Sequence, residues 1–395
     1  MMHLHKILNI VCLFFIPGFA VAQQTVYTWY DDAHTIRKEE YQGVKNGQGL
    51  FVKDGKYTIW YQNGVLWQTG MYVSNKLDGL WEDYYDDGTL KQKLPYKTGK
   101  LSGLLKYYYP SGKLMQEATY QDDQLNGPVT SYFENGNVQE TSNYVYNILQ
   151  GEVKAFYEDG TPRFVKMFSY GKENGSVVSY FENGNIKEKA SKVNGNYEGS
   201  YEDYYKDYAN ALNKKCSYRE GKLEGSLIAY YPDGNTKISC TYSNDMMEGD
   251  YIEYYDSATV VKEHGQYEHN KRTGIWIANY PSGVLFSKGN YVENRFDGIW
   301  NVYYQNGILK QSGRFENGSA TGEWKFYYET GELQNKGRYF ENSKSGLWLT
   351  YYKNGKLMTE INFKSGQRDG EAKAYNEQGK LVEKEQYKNG EKIKR

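Results

Sequence analysis

Gly79-Leu-Trp-Glu-Asp-Tyr-Tyr-Asp-Asp-Gly-Thr-Leu90 runs on through five mostly polar residues to Tyr96 and the loop Lys97-Thr-Gly-Lys100, and at Gly103 the pattern starts again. The glycine recurs every 24 residues at Gly55, Gly79, Gly103, Gly127, Gly151, Gly175 and Gly199, then after a slip at Gly225, Gly249, Gly274, Gly298, Gly322, Gly346 and Gly370. Fourteen copies of one unit therefore fill residues 55–395, each meeting chiefly its neighbours. Residues 23–54 read as a degenerate N-terminal repeat or cap, with Trp29-Tyr30 through Gly49 as its remnant. Mid-unit dipeptides such as Asn63-Gly64, Asp87-Gly88, Asn183-Gly184 and Asn306-Gly307 lie between runs rich in Tyr, Val and Leu. They signal a hairpin closed by a type I′ turn, whose two central residues both take positive φ. A hairpin and a second glycine-containing loop leave no room for a helix. The expected fold class is all-β, an elongated single-layer meander of about fourteen 24-residue β-hairpin repeats.

Counting from the repeat glycine as zero, turn residues at eight and nine pair position six with eleven, four with thirteen, two with fifteen, and the glycine with seventeen. Cross-strand partners share a face. Position six is Tyr61, Tyr85, Tyr109 or an equivalent ring, opposite an aliphatic residue such as Leu66, Leu90 or Leu114. Position two holds Trp81, Trp276, Trp300, Trp324 or Trp348, and Gly289, Gly313 and Gly337 stand opposite three of them. Large thus faces small, with Trp81–Leu94 and Trp348–Ile361 as exceptions. At seventeen a ring such as Tyr96 or Phe315 faces the repeat glycine, whose missing side chain is expected to make room for it.

The opposite face is mostly polar except for one column at position five. Its Tyr230, Tyr254, Tyr303, Tyr327, Tyr351 and Tyr375 are the candidate partner-binding residues. Such a ladder stiffens the sheet by stacking, or offers platforms to a protein or a glycan.

The pattern G-x-W-x-x-Y-Y-x-N-G-x-L, over about residues 55 to 395, resembles the MORN repeat in its bacterial variant, found in proteins often named YwqK-type antitoxins. The resemblance implies a MORN-like extended meander of hairpins used for protein contacts, and makes binding of a toxin an alternative role.

A net charge of -1 argues against a nucleic-acid partner. Residues 1–22 carry Lys6, an apolar run from Ile7 to Phe19 and Ala20-Val21-Ala22, the signature of a signal peptide. Export to the periplasm, the envelope or the medium is expected. No transmembrane segment follows. Cys216 and Cys240 share a repeat position one unit apart; two strands of spacing puts them beyond disulfide reach, so both are expected as buried free thiols. His34, His264 and His269 show no metal-ligand spacing, and no nucleophile elbow or phosphate loop appears. Expected catalytic, cofactor-binding and metal residues are none, and the expected role is a non-catalytic scaffold for a protein partner, with a glycan or cell-wall polymer as alternative and the oligomeric state open. The period breaks at Lys206 to Asn210, at Asp256-Ser257-Ala258 and, by one residue, at Glu263 to Gly265. Such breaks map to loops.

Overall fold

The computed structural model describes residues 22–256 and 259–393. The leader assigned to residues 1–22 lies outside the described residues, Ala22 apart, as do Ser257 and Ala258 of one turn. Thirty-five strands and no helix make up the described part. They fall into two compact units, one up to Gly151 with Glu158–Gly160, the other Glu152–Tyr157 with the residues from Thr161 on.

In the first unit, Lys76–Tyr84 pairs antiparallel with Leu90–Lys97 in the register Gly79↔Tyr96, Trp81↔Leu94, Asp83↔Gln92. It pairs with the preceding hairpin through Tyr72↔Leu77 and Thr69↔Glu82. The second unit repeats the arrangement, with Gly298↔Phe315, Trp300↔Gly313 and Val302↔Gln311. Both are open antiparallel meanders in the register expected up to position four.

Beyond position four the turn chemistry differs. Tyr84, at position five, opposes Leu90, and the register shifts between Asp83 and Tyr84. The turn is closed by Gly88 N donating to Tyr85 O at 3.0 Å and Tyr85 N donating to Thr89 O at 2.8 Å. Only the glycine has positive φ, Gly88 at 90°. This is a type I turn followed by a glycine bulge, the three-residue hairpin loop, in which Tyr85 closes the hairpin opposite Thr89 instead of Leu90, while the register shift leaves Lys91 as the extra residue between Leu90 and Gln92. The type I′ turns lie between hairpins: Ser74 and Asn75 have φ of 50° and 64°, Asp122 and Asp123 of 49° and 68°.

From this closing position the side chain of the position-six tyrosine reaches the next hairpin. Tyr85 Oη donates to the carbonyl of Tyr108 at 2.9 Å, Tyr304 Oη to that of Tyr327 at 2.8 Å, and in the N-terminal stretch Tyr30 Oη to that of Trp60 at 2.8 Å. Phe133 and Phe181 occupy this position without a hydroxyl.

The buried residues concentrate in one row, positions two and fifteen: Trp81, Leu94, Leu105, Ala118, Val129, Val153, Val177, Cys216, Cys240, Trp276, Trp300, Trp324 and Trp348. Each indole lies over the glycine of the preceding unit, eleven residues earlier, rather than over its hairpin partner. A Cβ at Gly70 would fall inside the ring of Trp81; Gly265, Gly289, Gly313 and Gly337 stand likewise to Trp276, Trp300, Trp324 and Trp348. Trp81 and Trp348, whose hairpin partners are Leu94 and Ile361, thus also lie on a glycine, Gly70 and Gly337. Their indole N–H groups donate to the carbonyl just after that glycine, Trp81 to Met71 at 3.0 Å and Trp348 to Arg338 at 3.1 Å; Trp276 and Trp300 do the same, while Trp324 donates to Thr321.

The repeat glycine has a different reason from the one expected. Gly79 has φ of 71° and open space where a Cβ would stand, so its partner ring does not require it. Between hairpins the register jumps from Thr69↔Glu82 to Met71↔Asp78, leaving Gly79, Leu80 and Trp81 opposite Gly70 alone. The left-handed glycine forms this bulge, and the bulge lets the indole cross to the earlier strand.

Candidate functional site

Position five places Tyr230, Tyr254, Tyr303, Tyr327, Tyr351 and Tyr375 on the face opposite the tryptophans, all half-buried. Each backbone carbonyl accepts a hydrogen bond, at 2.7 to 2.9 Å, from the position-six tyrosine one unit earlier: Tyr205, Tyr231, Tyr280, Tyr304, Tyr328 and Tyr352. The row is interrupted once. Between Tyr254 and Tyr303 position five is Asn279, whose amide donates to the carbonyl of Val261 at 2.9 Å.

The ladder is flanked by a charged row at positions three and fourteen. Glu82 opposes Lys93 at 2.9 Å and Lys106 opposes Glu117 at 2.7 Å. Tyr84 donates to Glu82, and Tyr204 to Glu202, which also binds Lys215 at 3.0 Å. The hydrogen bond from Lys93 holds the Glu82 carboxyl below its ordinary range. Burial, then the bond to Glu202, pushes the Tyr204 hydroxyl up to about 12. Tyr375 donates to Glu360 at 3.4 Å.

Around Tyr303, Tyr327 and Tyr351 the row changes character. It runs Lys288, Asn301, Ser312, Lys325, Lys336, Leu349, with Lys325 directly opposite Lys336. Arg314 and Arg338 stand exposed beside it, across from Ile299 and Glu323. A groove of about 390 Å³ is lined here by Glu323, Lys336, Gly337, Arg338, Leu347 and Leu349. No motif marks these side chains in the sequence; the loss of Glu–Lys pairing along positions three and fourteen is their signal.

On the tryptophan face of the second unit, rings meet edge to face, Trp300 with Phe296 at 4.4 Å and with Tyr291 at 5.2 Å. A cavity of about 420 Å³ among Trp276, Tyr291, Phe296, Trp300 and Phe315 is bounded by Arg272, which lies 4.0 Å over Trp276 and binds Glu263 at 2.8 Å. Ring stacking is thus concentrated on the tryptophan face.

The period breaks resolve into turns. Tyr204↔Leu212 and the bond from Tyr205 N to Ala211 O at 2.9 Å put two extra residues within 206–210, where Tyr208 is exposed. The one-residue slip is placed earlier than expected: Tyr254 already pairs with Val261, so the extra residue lies in the turn before Val261, and Glu263 to Gly265 continue regularly. Cys216 and Cys240 are buried and free, on strands separated by Gly225–Tyr230. Burial pushes the Cys240 thiol up to about 11. Among the described residues no three His, Cys, Asp or Glu side chains gather to hold a metal ion, and no helix is long and apolar enough to cross a membrane.

Hairpins stitched to their neighbours by a Trp-over-Gly contact and a tyrosine-to-carbonyl bond define a β-hairpin repeat scaffold. The chain belongs to the MORN repeat variant family, whose pattern matches residues 53–74, 77–98, 101–122, 125–146, 173–191, 272–293, 296–317, 320–342, 344–365 and 368–389. No curated protein matches it. Crystal structures titled TcdB2-TccC3-Cdc42 and TcdB2-TccC3 are similar over 93% and 94% of this chain, each at 12% identity and a TM-score of 0.12. TcdB2-TccC3 without its hypervariable C-terminal region is similar over 86%, at 12% identity and a TM-score of 0.14. The chain spans about a quarter of those chains, 26%, 27% and 26%.

Proposed function

We propose that this protein is a non-catalytic repeat scaffold that binds a protein partner through the face carrying the position-five tyrosines, and that it acts in the cell envelope or outside the cell. One observation carries the binding face. The recurring columns of the array, tryptophan over glycine and tyrosine to carbonyl, are used in joining units, so individuality resides in the side chains around the ladder. The half-buried setting of Tyr303, Tyr327 and Tyr351 supports protein contact over glycan stacking, because sugar platforms need an open ring face. The charged and apolar segments of residues 1–22 support the location.

The test is expression of the full chain in an envelope-bearing bacterium, followed by fractionation, N-terminal mass analysis and gentle copurification. A processed chain in the envelope or medium with a protein partner at fixed stoichiometry is the expected result. Retention on isolated cell wall without any protein partner would establish the glycan reading instead, and a cytosolic complex with a toxin the antitoxin reading.

A further inference from the structure

The second unit carries an excess of positive charge on the ladder face. In the rows at positions one, three, twelve, fourteen and sixteen of the strands from Leu285–Val292 to Ser343–Tyr351, Lys288, Lys310, Arg314, Lys325, Lys336 and Arg338 stand against the single carboxylate of Glu323. Asp297 and Glu316 lie further out, toward the turns. The chain as a whole carries a net charge of -1, so the patch is a local concentration. Glu323 lies 3.6 Å from Lys325 and opposite Arg338, and cannot neutralise the rest.

Like charges directly opposite one another destabilise a sheet. Elsewhere in the same row Lys93 opposes Lys106 and Lys373 opposes Lys384, but there every lysine also reaches a carboxylate: Glu82 and Glu117 in the first pair, Glu360 and Glu371 in the second. At Lys325↔Lys336 only Lys325 has such a partner, Glu323 at 3.6 Å, and beyond Lys336 the row offers no carboxylate until Glu360. A like-charge pair of which one member, Lys336, has no ion pair among the described residues points to an external group that supplies it. The apolar neighbours indicate what kind. Ile299 and Leu347 are 55% and 46% exposed, and Leu347 and Leu349 line one side of the groove whose other side is Lys336 and Arg338. Carboxylates fit the second side, and aliphatic side chains the first.

Resting on the scaffold reading above, we propose that this face, from Leu285–Val292 to Ser343–Tyr351, docks an acidic protein segment that alternates carboxylate and aliphatic side chains. Charge complementarity selects the partner, and the aliphatic groove separates a peptide from a bare polyanion.

The full chain is titrated with a labelled peptide of alternating Asp and Leu, with its Asn–Leu counterpart, and with vesicles of phosphatidylcholine and phosphatidylglycerol. Saturable binding of the Asp–Leu peptide that weakens with salt is expected, with the Asn–Leu peptide at least about tenfold weaker. Lys336→Glu should weaken the Asp–Leu peptide by about tenfold or more while raising the thermal midpoint, because it converts a like-charge pair into an opposite one. Lys91→Glu, the same charge change in the other unit, should leave binding intact. Equal binding of both peptides, equal loss with Lys91→Glu, an unchanged Lys336→Glu variant, or binding to the vesicles alone would each overturn the proposal. A native protein partner that binds Lys336→Glu unchanged would overturn this surface and leave the scaffold reading standing; absence of any protein partner counts against the scaffold itself.

Discussion

The indole of Trp324 lies on Gly313, a residue of the hairpin before its own, so the contact that buries the ring also joins two units. The same relation holds at Trp81 on Gly70 and Trp300 on Gly289, and it makes lateral cohesion a property of pairs of units.

Gly313→Val should therefore collide with Trp324 and leave Trp300 untouched. Overpacking of this kind costs about 1 to 3 kcal/mol. Urea denaturation of Gly313→Val, Trp324→Leu and the double variant should show coupling between these two sites. A cycle with Trp300→Leu should show none beyond about 0.5 kcal/mol.

The tyrosine clamp gives changes of opposite sign at two positions. Tyr304→Phe removes the bond to the Tyr327 carbonyl and should cost about 0.5 to 1.5 kcal/mol. Phe181→Tyr supplies a hydroxyl where the array lacks one, and a gain of similar or smaller size is expected. Denaturation midpoints of the two variants check both.

Trp-over-Gly also shows what the sequence concealed. The hairpin register up to position four follows from the glycine period and the alternation of Trp81, Asp83 and Tyr96, because strand geometry allows few other pairings. The contact partner of a ring is less legible. Gly313 lies thirteen residues after Trp300 and eleven before Trp324, and in a 24-residue period those two offsets describe the same column. Trp81 held the deciding clue, since it lacks a glycine at the first offset and has Gly70 at the second. The turn types are not legible because Asp87-Gly88 satisfies both a type I′ turn and a type I turn with a glycine bulge, while Ser74-Asn75 and Asp122-Asp123 take positive φ without glycine. The ladder's face is legible from parity; the loss of carboxylates beside it depends on positions three and fourteen of successive units being neighbours, which the linear order does not display.

Cys216 and Cys240 should remain two free thiols in protein purified without reductant, and should alkylate slowly at pH 8 in the native state and fast in denaturant. Burial raises the Cys240 thiol from 9.0 to about 11 in the folded chain. The folded state then holds a proton that the unfolded state releases, so this stabilisation is present below pH 9 and lost as the pH rises through about 11. Cys240→Ala should flatten that part of the stability–pH curve.

Replacing Tyr303, Tyr327 and Tyr351 together by Ser should keep the β-type circular dichroism, since Tyr280, Tyr304 and Tyr328 bind main-chain carbonyls that survive the change. A loss of about 1 kcal/mol per ring is expected from the half-buried surface. Affinity for a copurifying partner should fall by a larger factor, because aromatic side chains often anchor interfaces.

The most direct test of partner binding by this face is lysine reactivity in the purified complex. Reductive methylation read by mass spectrometry should find Lys288, Lys310, Lys325 and Lys336 protected when the partner is bound, while Lys91 and Lys106 stay as reactive as in the free chain. Unchanged reactivity at those four lysines, with protection confined to other surfaces, would contradict it.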